Sequence, residues 1–203
     1  MLQTMEEALQ AIDEGKILAV YTDTVLGFIA DGTNKQTVEE LYSIKKRDRS
    51  KPYIIFVSEK EDIAKYAKNI PSYAQKFMQT FWPGQLTCIF QVKKMKENTS
   101  YLANQNSVGI RIPNEPHLLE LLKKTDKTII STSANISEDN ELYALQQVQE
   151  VFGDSVVCWD YSFASLTNEQ ASTIIDCTKK DTWQLVREGS ITKEMLWQVI
   201  DNE

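Results

Sequence analysis

The segment "KILAVYTDTV" (residues 16–25) decides the fold class, because an apolar run gives way within a few residues to a polar loop. Residues 17–21 are nearly all apolar, which predicts a short buried β-strand. Residues 2–14 carry Met5, Leu9 and Ile12 at helical spacing, and Gly15 follows them. We therefore predict an amphipathic helix that stops at the glycine and leads into the strand.

The same two patterns recur along the chain. Further strands are predicted at residues 53–58, 85–92, 108–113, 128–133, 155–160, 172–177 and 183–189, and further helices at residues 37–45, 60–68, 116–124, 142–151 and 192–200. Residues 97–107 are predicted to form an exposed loop. Because strands and helices intermix without strict alternation, we expect one α/β domain over residues 1–203, with a twisted mixed β-sheet flanked by helices.

Length and composition place the chain among ordinary globular proteins. Its 203 residues fit a single domain, and 42% hydrophobic with 25% charged residues is typical of a packed core with a charged surface. There is no apolar run of roughly 18–20 residues and no secretory signal pattern at the N-terminus, so no membrane contact is expected. The three cysteines lack metal-ligand spacing. A cytoplasmic location fits these features best.

The charge distribution contains one local exception. The net charge is -7 and the sequence pI is about 4.9, which argues against a general nucleic-acid coat. However, "SIKKRDRSKP" (residues 43–52) concentrates five basic side chains and one acid between positions 45 and 51. This segment is either a solvated helix end or a cradle for a group that carries phosphate.

Small hydroxyls and guanidinium groups stand at several predicted strand ends. They are Thr22, Thr24, Arg111, Ser131, Ser133, Ser172 and Arg187. Ligands of open α/β sheets bind beyond strand ends, so these groups are expected to converge on one cleft. A single serine at a strand end is usually a turn residue. Arg111 is costly to bury unpaired, so it is either a ligand group or a member of an ion pair.

Several familiar chemistries find no support in the sequence. The single histidine is His117, and the sequence has no nucleophile elbow or cysteine signature with which it could form a catalytic Ser-His-Asp or Cys-His site. There is no GxxxxGK[ST] loop and no GxGxxG fingerprint, and ligands for zinc are too few. An enzyme built from this chain would work by positioning and charge stabilisation.

Seven short motifs occur in a fixed order between about residues 15 and 189. They are "YTDTVLGFIADGTN", "IKKRDRSKP", "FWPGQLT", "VGIRIP", "STSANIS", "ASTIIDCT" and "LVREG". Together they resemble the YrdC/Sua5 family, and they cover most of the chain. The resemblance implies a YrdC-like fold with a concave, positively charged cleft.

The resemblance also implies an activity, that of a nucleotidyltransferase. Family members make L-threonylcarbamoyladenylate from ATP, L-threonine and bicarbonate, release pyrophosphate, and supply the t6A modification of tRNA through a separate transferase complex. Mg²⁺ is expected with the triphosphate, and no residue of the chain is assigned as a metal ligand. The chain length fits the family's short form, without an extra C-terminal domain.

Candidate site residues follow from the family motifs, position by position. Lys45, Arg47 and Lys51 would face the ATP phosphates as the catalytic cations. Arg47 and Lys51 would also bind ATP, together with Ser107, Ser133, Asn135 and Arg187. The positions that match threonine-binding residues are Thr24, Arg111, Ser131 and Ser172.

This sequence departs from the family pattern at positions close to those motifs. Leu26 replaces a tyrosine, Phe56 a histidine, Gln85 a proline and Glu138 a glycine. Three hypotheses therefore stand: a threonylcarbamoyl-AMP synthase with an altered threonine pocket, a paralogue with a different carbamoyl- or adenylyl-transfer substrate, and a nucleotide- or RNA-binding module without catalysis. Weak binding of tRNA or other RNA is compatible with each.

Overall fold

One large mixed sheet organises the fold. The computed structural model describes residues 1–94, 102, 106–161 and 170–201. The helices are α1 (Met5–Asp13), α2 (Lys35–Ile44), α3 (Ile63–Tyr66), α4 (Ser72–Phe81), α5 (Pro116–Lys124), α6 (Leu145–Phe152) and α7 (Lys193–Asp201). The strands are β1 (Leu18–Val20), β2 (Gly27–Asp31), β3 (Ile54–Phe56), β4 (Ala67–Lys68), β5 (Leu86–Val92), β6 (Ser107–Arg111), β7 (Ile129–Ser133), β8 (Val157–Cys158), β9 (Thr173–Asp176) and β10 (Gln184–Arg187).

The strand order is β10-β9-β5-β6-β3-β7-β2-β1-β8, and β4 pairs with the end of β5. The pairs β1–β8, β3–β6 and β5–β9 are parallel, and the other pairs are antiparallel. The predicted α/β fold with a twisted mixed sheet is therefore confirmed. No helix in the described ranges is long and apolar enough to cross a membrane.

Helices cover both faces of the sheet, which explains the unbroken apolar run that starts the first strand. Ala19 packs into the core cluster on the side of α2, α4, α6 and α7. Its neighbours Leu18 and Val20 pack into the cluster on the opposite side, which includes α1 and α5. A strand that is buried on both faces has no polar alternation.

Most predicted elements are found within three residues of their predicted ends, and α5 matches at both ends. Three helices or strands were not predicted: β2, α4 and the short strand β4. β2 is buried along its whole length, so it gives no period-two signal, and α4 buries Ala74, Phe77 and Met78 on one face. The helix predicted at residues 60–68 is shorter, because a 3-10 turn precedes α3 and β4 follows it. The loop predicted at residues 97–107 falls mostly outside the described residues.

Candidate functional site

A cavity of about 660 Å³ opens at the ends of the central strands. All of the strand-end polar residues singled out in the sequence lie on its wall: Thr22, Thr24, Arg111, Ser131, Ser133, Ser172 and Arg187. Its volume lies within the range of about 300–1,000 Å³ that is usual for small-molecule sites. The expected convergence on one cleft is therefore observed.

Strand register brings these residues together. β2 and β7 pair so that Gly27 faces Ser133 and Ile29 faces Ser131. A Cβ atom at Gly27 would lie 3.2 Å from the Thr22 methyl carbon and 3.4 Å from a backbone carbonyl oxygen. The glycine therefore lets the loop after β1 lie close against β2, where its threonine hydroxyls reach the cavity.

Arg111, at the end of β6, is held from several sides. Its Nη2 donates to Asp23 Oδ1 at 2.6 Å, its Nη1 to Thr24 Oγ1 at 3.1 Å, and its Nε to the Gly84 carbonyl oxygen at 2.9 Å. The guanidinium carbon also lies 5.8 Å from the centroid of the Phe56 ring. Burial lowers the pKa of Arg111, and the Asp23 carboxylate opposes this shift. Arg111 is thus a member of a buried ion pair that also lines the cavity.

Asp23 is the residue that sequence reasoning missed. It is only 5% exposed, and Gln85 Nε2 donates to its backbone carbonyl oxygen at 2.5 Å. Gln85 occupies a position where the family motif has proline, so this departure adds a contact to the loop that carries Asp23. The acid between the two threonines of "TDT" was the available signal, since a buried arginine requires a partner.

The opposite wall is built from β9 and β10. Arg187 donates from Nη2 and Nε to the Ser172 carbonyl oxygen, at 2.7 and 3.1 Å. The Ser172 hydroxyl lies 2.9 Å from the Thr87 hydroxyl on β5. A Cβ atom at Gly189 would stand 2.0 Å from the Ala171 carbonyl oxygen, so glycine is required where the chain leaves β10.

The basic segment begins with a reversal of the chain at the end of α2. Lys46 has a positive φ of 49°, its amide donates to the Ser43 carbonyl oxygen, and the Arg47 amide donates to that of Tyr42. This is the hydrogen-bond pattern of a Schellman motif, in which glycine is the usual residue at the left-handed position. The reversal directs Arg47 and Lys51 to the cavity wall.

The cations of the basic segment have different surroundings. Arg47 donates from Nε to the Lys51 carbonyl oxygen at 2.9 Å, and its guanidinium carbon lies 5.2 Å from the centroid of the Tyr53 ring. The Lys51 side chain is more than half exposed, and its ammonium lies 3.4 Å from the Glu138 carboxylate. Arg49 is also mostly exposed and pairs with Glu39 on α2.

Lys45, unlike Arg47 and Lys51, does not line the cavity. Its side chain is buried, with 1% of the residue exposed. Its Nζ donates to the Ser133 carbonyl oxygen at 2.6 Å and to the Asn135 carbonyl oxygen at 2.5 Å, and Asn135 Oδ1 lies 3.3 Å away. Burial, together with the charge of Arg47, lowers the pKa of Lys45 to about 7.

Nine of the eleven candidate residues therefore line one cavity, and two lie behind its wall. The two are Lys45 and Asn135, which contact each other. Ser107 lies on the wall, and it also borders a neighbouring cavity of about 550 Å³. The ligand roles assigned to the eleven residues, and the positive potential expected of the cleft, stay predictions.

The fold and the site together define a mixed α/β protein with a cleft at the strand ends that is lined by hydroxyl, cationic and apolar side chains. The Sua5–YciO–YrdC family model, which is described as telomere recombination, matches residues 10–189. The chain belongs to this family, as its seven motifs indicated.

Relatives with curated names support this assignment. The chain is 29% identical over 195 residues to the threonylcarbamoyl-AMP synthase of Bacillus subtilis, covering 96% of this chain and 56% of that protein. It is 25% identical over 158 residues to the threonylcarbamoyl-AMP synthase of Vibrio vulnificus, covering 77% of this chain and 84% of that one. The chain thus spans little more than half the length of the Bacillus relative.

A solved structure shows the same architecture. The crystal structure of P. abyssi Sua5 complexed with L-threonine superposes with a TM-score of 0.87 at 28% sequence identity. The match covers 97% of this chain and 57% of that chain.

Proposed function

We propose that this chain catalyses L-threonylcarbamoyladenylate synthesis. Threonine and bicarbonate combine to N-carbamoylthreonine and water. The carbamate oxygen then attacks the α-phosphorus of ATP, and pyrophosphate leaves with the electron pair of the broken P–O bond. Membership of the family and the names of the relatives support this reaction.

The observation that carries the proposal is the composition of the cavity wall. Side chains from six separate strands or strand ends supply hydroxyls and guanidinium groups to one space of about 660 Å³. Guanidinium groups pair with phosphate and carboxylate oxygens, and hydroxyls hydrogen-bond to either. The wall therefore suits a ligand that is anionic at one end and rich in hydrogen-bonding groups at the other.

Two groups of residues on the cavity wall suit the two substrates. Arg47 and Lys51 lie on the side of the basic segment, where they would stabilise the charge that develops on the α- and β-phosphates. Arg111, Thr24 and Ser172 are the wall residues that we propose bind threonine. Because Asp23 already neutralises much of the charge of Arg111, we propose that hydroxyls share the work of holding the threonine carboxylate.

Mg²⁺ is proposed to enter with ATP. Among the described residues that line the cavity there are hydroxyls, cations and apolar groups, and no carboxylate. This donor set fits phosphate oxygens, which would in turn hold the Mg²⁺ and spread their charge onto it. Bicarbonate as the carbon source, delivery of the product to a tRNA-modifying transferase, a cytoplasmic location and a single-domain organisation are parts of the same proposal.

A second candidate is a family paralogue that acts on another amino acid. Phe56 occupies the position of the family histidine, it is 5% exposed, and it lines the cavity directly beneath Arg111. Ile54 and Ile89 extend the apolar wall beside it. This wall favours a substrate side chain that is at least as apolar as that of threonine.

Pyrophosphate release separates the hypotheses. The protein is incubated with ATP, Mg²⁺ and bicarbonate, with and without L-threonine, and the nucleotide product is identified by mass spectrometry. Threonine-dependent pyrophosphate together with threonylcarbamoyl-AMP supports the synthase. ATP binding with turnover on a different amino acid supports the paralogue, and failure to bind ATP contradicts both.

Two arginines of the basic segment provide a matched pair of variants. Arg47→Ala removes a guanidinium from the cavity wall, whereas Arg49→Ala removes one that pairs with Glu39 outside the cavity. We expect Arg47→Ala to abolish turnover and Arg49→Ala to retain it, with both variants folded by circular dichroism. Equal losses in the two variants would contradict the assigned phosphate contact.

A further inference from the structure

Lys45 joins the end of α2 to the turn that follows β7. Its ammonium contacts the carbonyl oxygens of Ser133 and Asn135, and the Ser137 amide donates back to the Lys45 carbonyl oxygen at 2.8 Å. The turn at residues 133–137 is therefore bonded to the main chain and to the side chain of the same lysine.

We propose that Lys45 is a positioning residue: its ammonium holds the turn at residues 133–137, so that Ser133 presents its hydroxyl to the ATP site, and it does not itself contact phosphate. This inference rests on the proposed function, because it assigns a role within the same ATP site. It changes the role that the family resemblance implies for Lys45.

The hydrogen-bonding capacity of the ammonium is already filled. An ammonium group has three donors, and three acceptor oxygens lie within 2.5, 2.6 and 3.3 Å of Lys45 Nζ. The Phe28 ring centroid lies 5.7 Å from the same nitrogen. Turning the ammonium toward a phosphate would leave two backbone carbonyl oxygens without this donor in a buried place.

The contacts of the turn lead from Lys45 to the cavity wall. Asn135 Oδ1 accepts from the Ser133 hydroxyl at 2.6 Å, and Asn135 Nδ2 donates to the Asp139 carbonyl oxygen at 2.7 Å. Ser133 lies on the wall, whereas Lys45 and Asn135 lie behind it. Lys45 thus fixes the asparagine that orients the serine.

A double-mutant cycle on ATP affinity tests this role. Isothermal titration calorimetry compares the native protein with Lys45→Met, Asn135→Ala and the double variant. If Lys45 acts through the turn, each single substitution weakens ATP binding about tenfold. The double variant should then bind ATP no more than about threefold more weakly than the single variant with the lower ATP affinity. Losses that multiply to about a hundredfold would overturn the proposal.

Two other lysines serve as controls in the same titration. Lys46→Met removes a neighbouring exposed charge and should change the ATP affinity by less than about twofold. Lys51→Met removes a cation of the cavity wall, and its effect should multiply with that of Asn135→Ala. Coupling between Lys51 and Asn135 as strong as that of Lys45 would also overturn the proposal.

The salt dependence of ATP binding gives a readout that a structural role leaves unchanged. Salt screens the attraction between a cation and a polyphosphate. We expect Lys51→Met to flatten the dependence of ATP affinity on salt concentration, and Lys45→Met to keep the native dependence. A flatter dependence in Lys45→Met would show that its charge acts on the phosphates directly.

A measurement on the native protein covers the case in which Lys45→Met does not fold. Nuclear magnetic resonance of ¹⁵N-labelled lysine side chains at pH 6 should reveal one slowly exchanging ammonium that keeps its protection when ATP is added. Loss of that protection on ATP addition would overturn the positioning role. Failure of the native protein to bind ATP would instead contradict the proposed function.

Discussion

Replacing Asp23 by asparagine should destabilise the protein far more than an ordinary Asp→Asn change. Asp23 and Arg111 are 5% and 4% exposed, and their closest atoms are 2.6 Å apart. The substitution keeps the shape of the side chain and removes the charge that balances a buried guanidinium. The other hydrogen-bond acceptors of Arg111 are neutral oxygens of Gly84 and Thr24.

The expected size follows from these contacts. Loss of a charge-assisted hydrogen bond costs about 1.5–3 kcal/mol, and leaving a buried charge without its counter-ion raises the total to about 3–5 kcal/mol. Asparagine can still accept one hydrogen bond from Arg111, so we expect about 3 kcal/mol. For a chain of this length that corresponds to a fall of about 6–12 °C in Tm.

Urea unfolding measures the loss, with Asp62→Asn as the matched control. Asp62 pairs with Lys65, whose side chain is 68% exposed, so its substitution should cost less than about 1 kcal/mol. The double variant Asp23→Asn/Arg111→Met should lose clearly less than the sum of the two single variants, because it no longer buries a lone charge.

A small effect would refute this reasoning. If Asp23→Asn cost no more than Asp62→Asn, the charge of Arg111 would be balanced by solvent in the cavity. Arg111 would then be available in full to bind the carboxylate of a substrate, as the family resemblance implies. Stability data would thus decide between the two roles that the sequence left open for Arg111.

Three further predictions concern separate features. Gly189→Ala places a Cβ atom 2.0 Å from a carbonyl oxygen and should lower the free energy of unfolding in urea by about 1–3 kcal/mol. A Cβ atom at Gly109 would lie 3.8 Å from its nearest neighbour, so a loss as small as that of Gly109→Ala would contradict this prediction. Glu138→Gly removes a residue at a φ of 73° and frees the Lys51 ammonium, so ATP affinity by calorimetry should rise about two- to fivefold; unchanged affinity would show that the pair does not compete with ATP. The pKa of Lys45 is lowered from 10.5 to about 7 in the folded protein, so the unfolded chain binds more protons than the folded protein between these two pH values. The free energy of unfolding should therefore rise with pH across this window, relative to that of Lys45→Met. Parallel pH profiles of the two proteins would argue against the lowered pKa.

The convergence of the strand-end residues could be predicted because it depends only on each residue lying at the end of a buried strand. A hydroxyl or guanidinium group at the end of a buried strand lies at the edge of the sheet, where ligands of α/β proteins bind. The sequence therefore located the cavity wall without any knowledge of strand order. The order itself, with parallel and antiparallel pairs side by side, depends on contacts between distant residues and could not be deduced from local patterns.

The sequence patterns of β2 and α4 differ in how clearly they indicate these elements. β2 has both faces buried, so it shows no alternation, and Gly27, Ala30 and Asp31 offset the strand propensity of Phe28 and Ile29. α4 did carry a helical signal, with Ala74, Phe77 and Met78 at the spacing of one buried face. The sequence of α4 therefore contains enough periodicity to predict a helix.

The basic segment shows how periodicity and charge have to be considered together. Val38, Leu41, Tyr42 and Lys45 follow one another at helical spacing, so the pattern that predicted α2 already placed Lys45 on its buried face. The family motif, together with the charge of the segment, instead grouped Lys45 with its neighbours as a phosphate contact.

The left-handed residue that follows Lys45 then changes the direction of the chain. Because Lys46 reverses the backbone, the next cations leave the helical stripe and reach the cavity. Cations that are neighbours in the sequence therefore have different roles. Lys45 supports the cavity wall from behind, Arg47 and Lys51 line the cavity, and the other cations of the segment lie near the solvent. Which cation does which is set by the helix phase and the position of the turn, and both of these are local properties of the sequence.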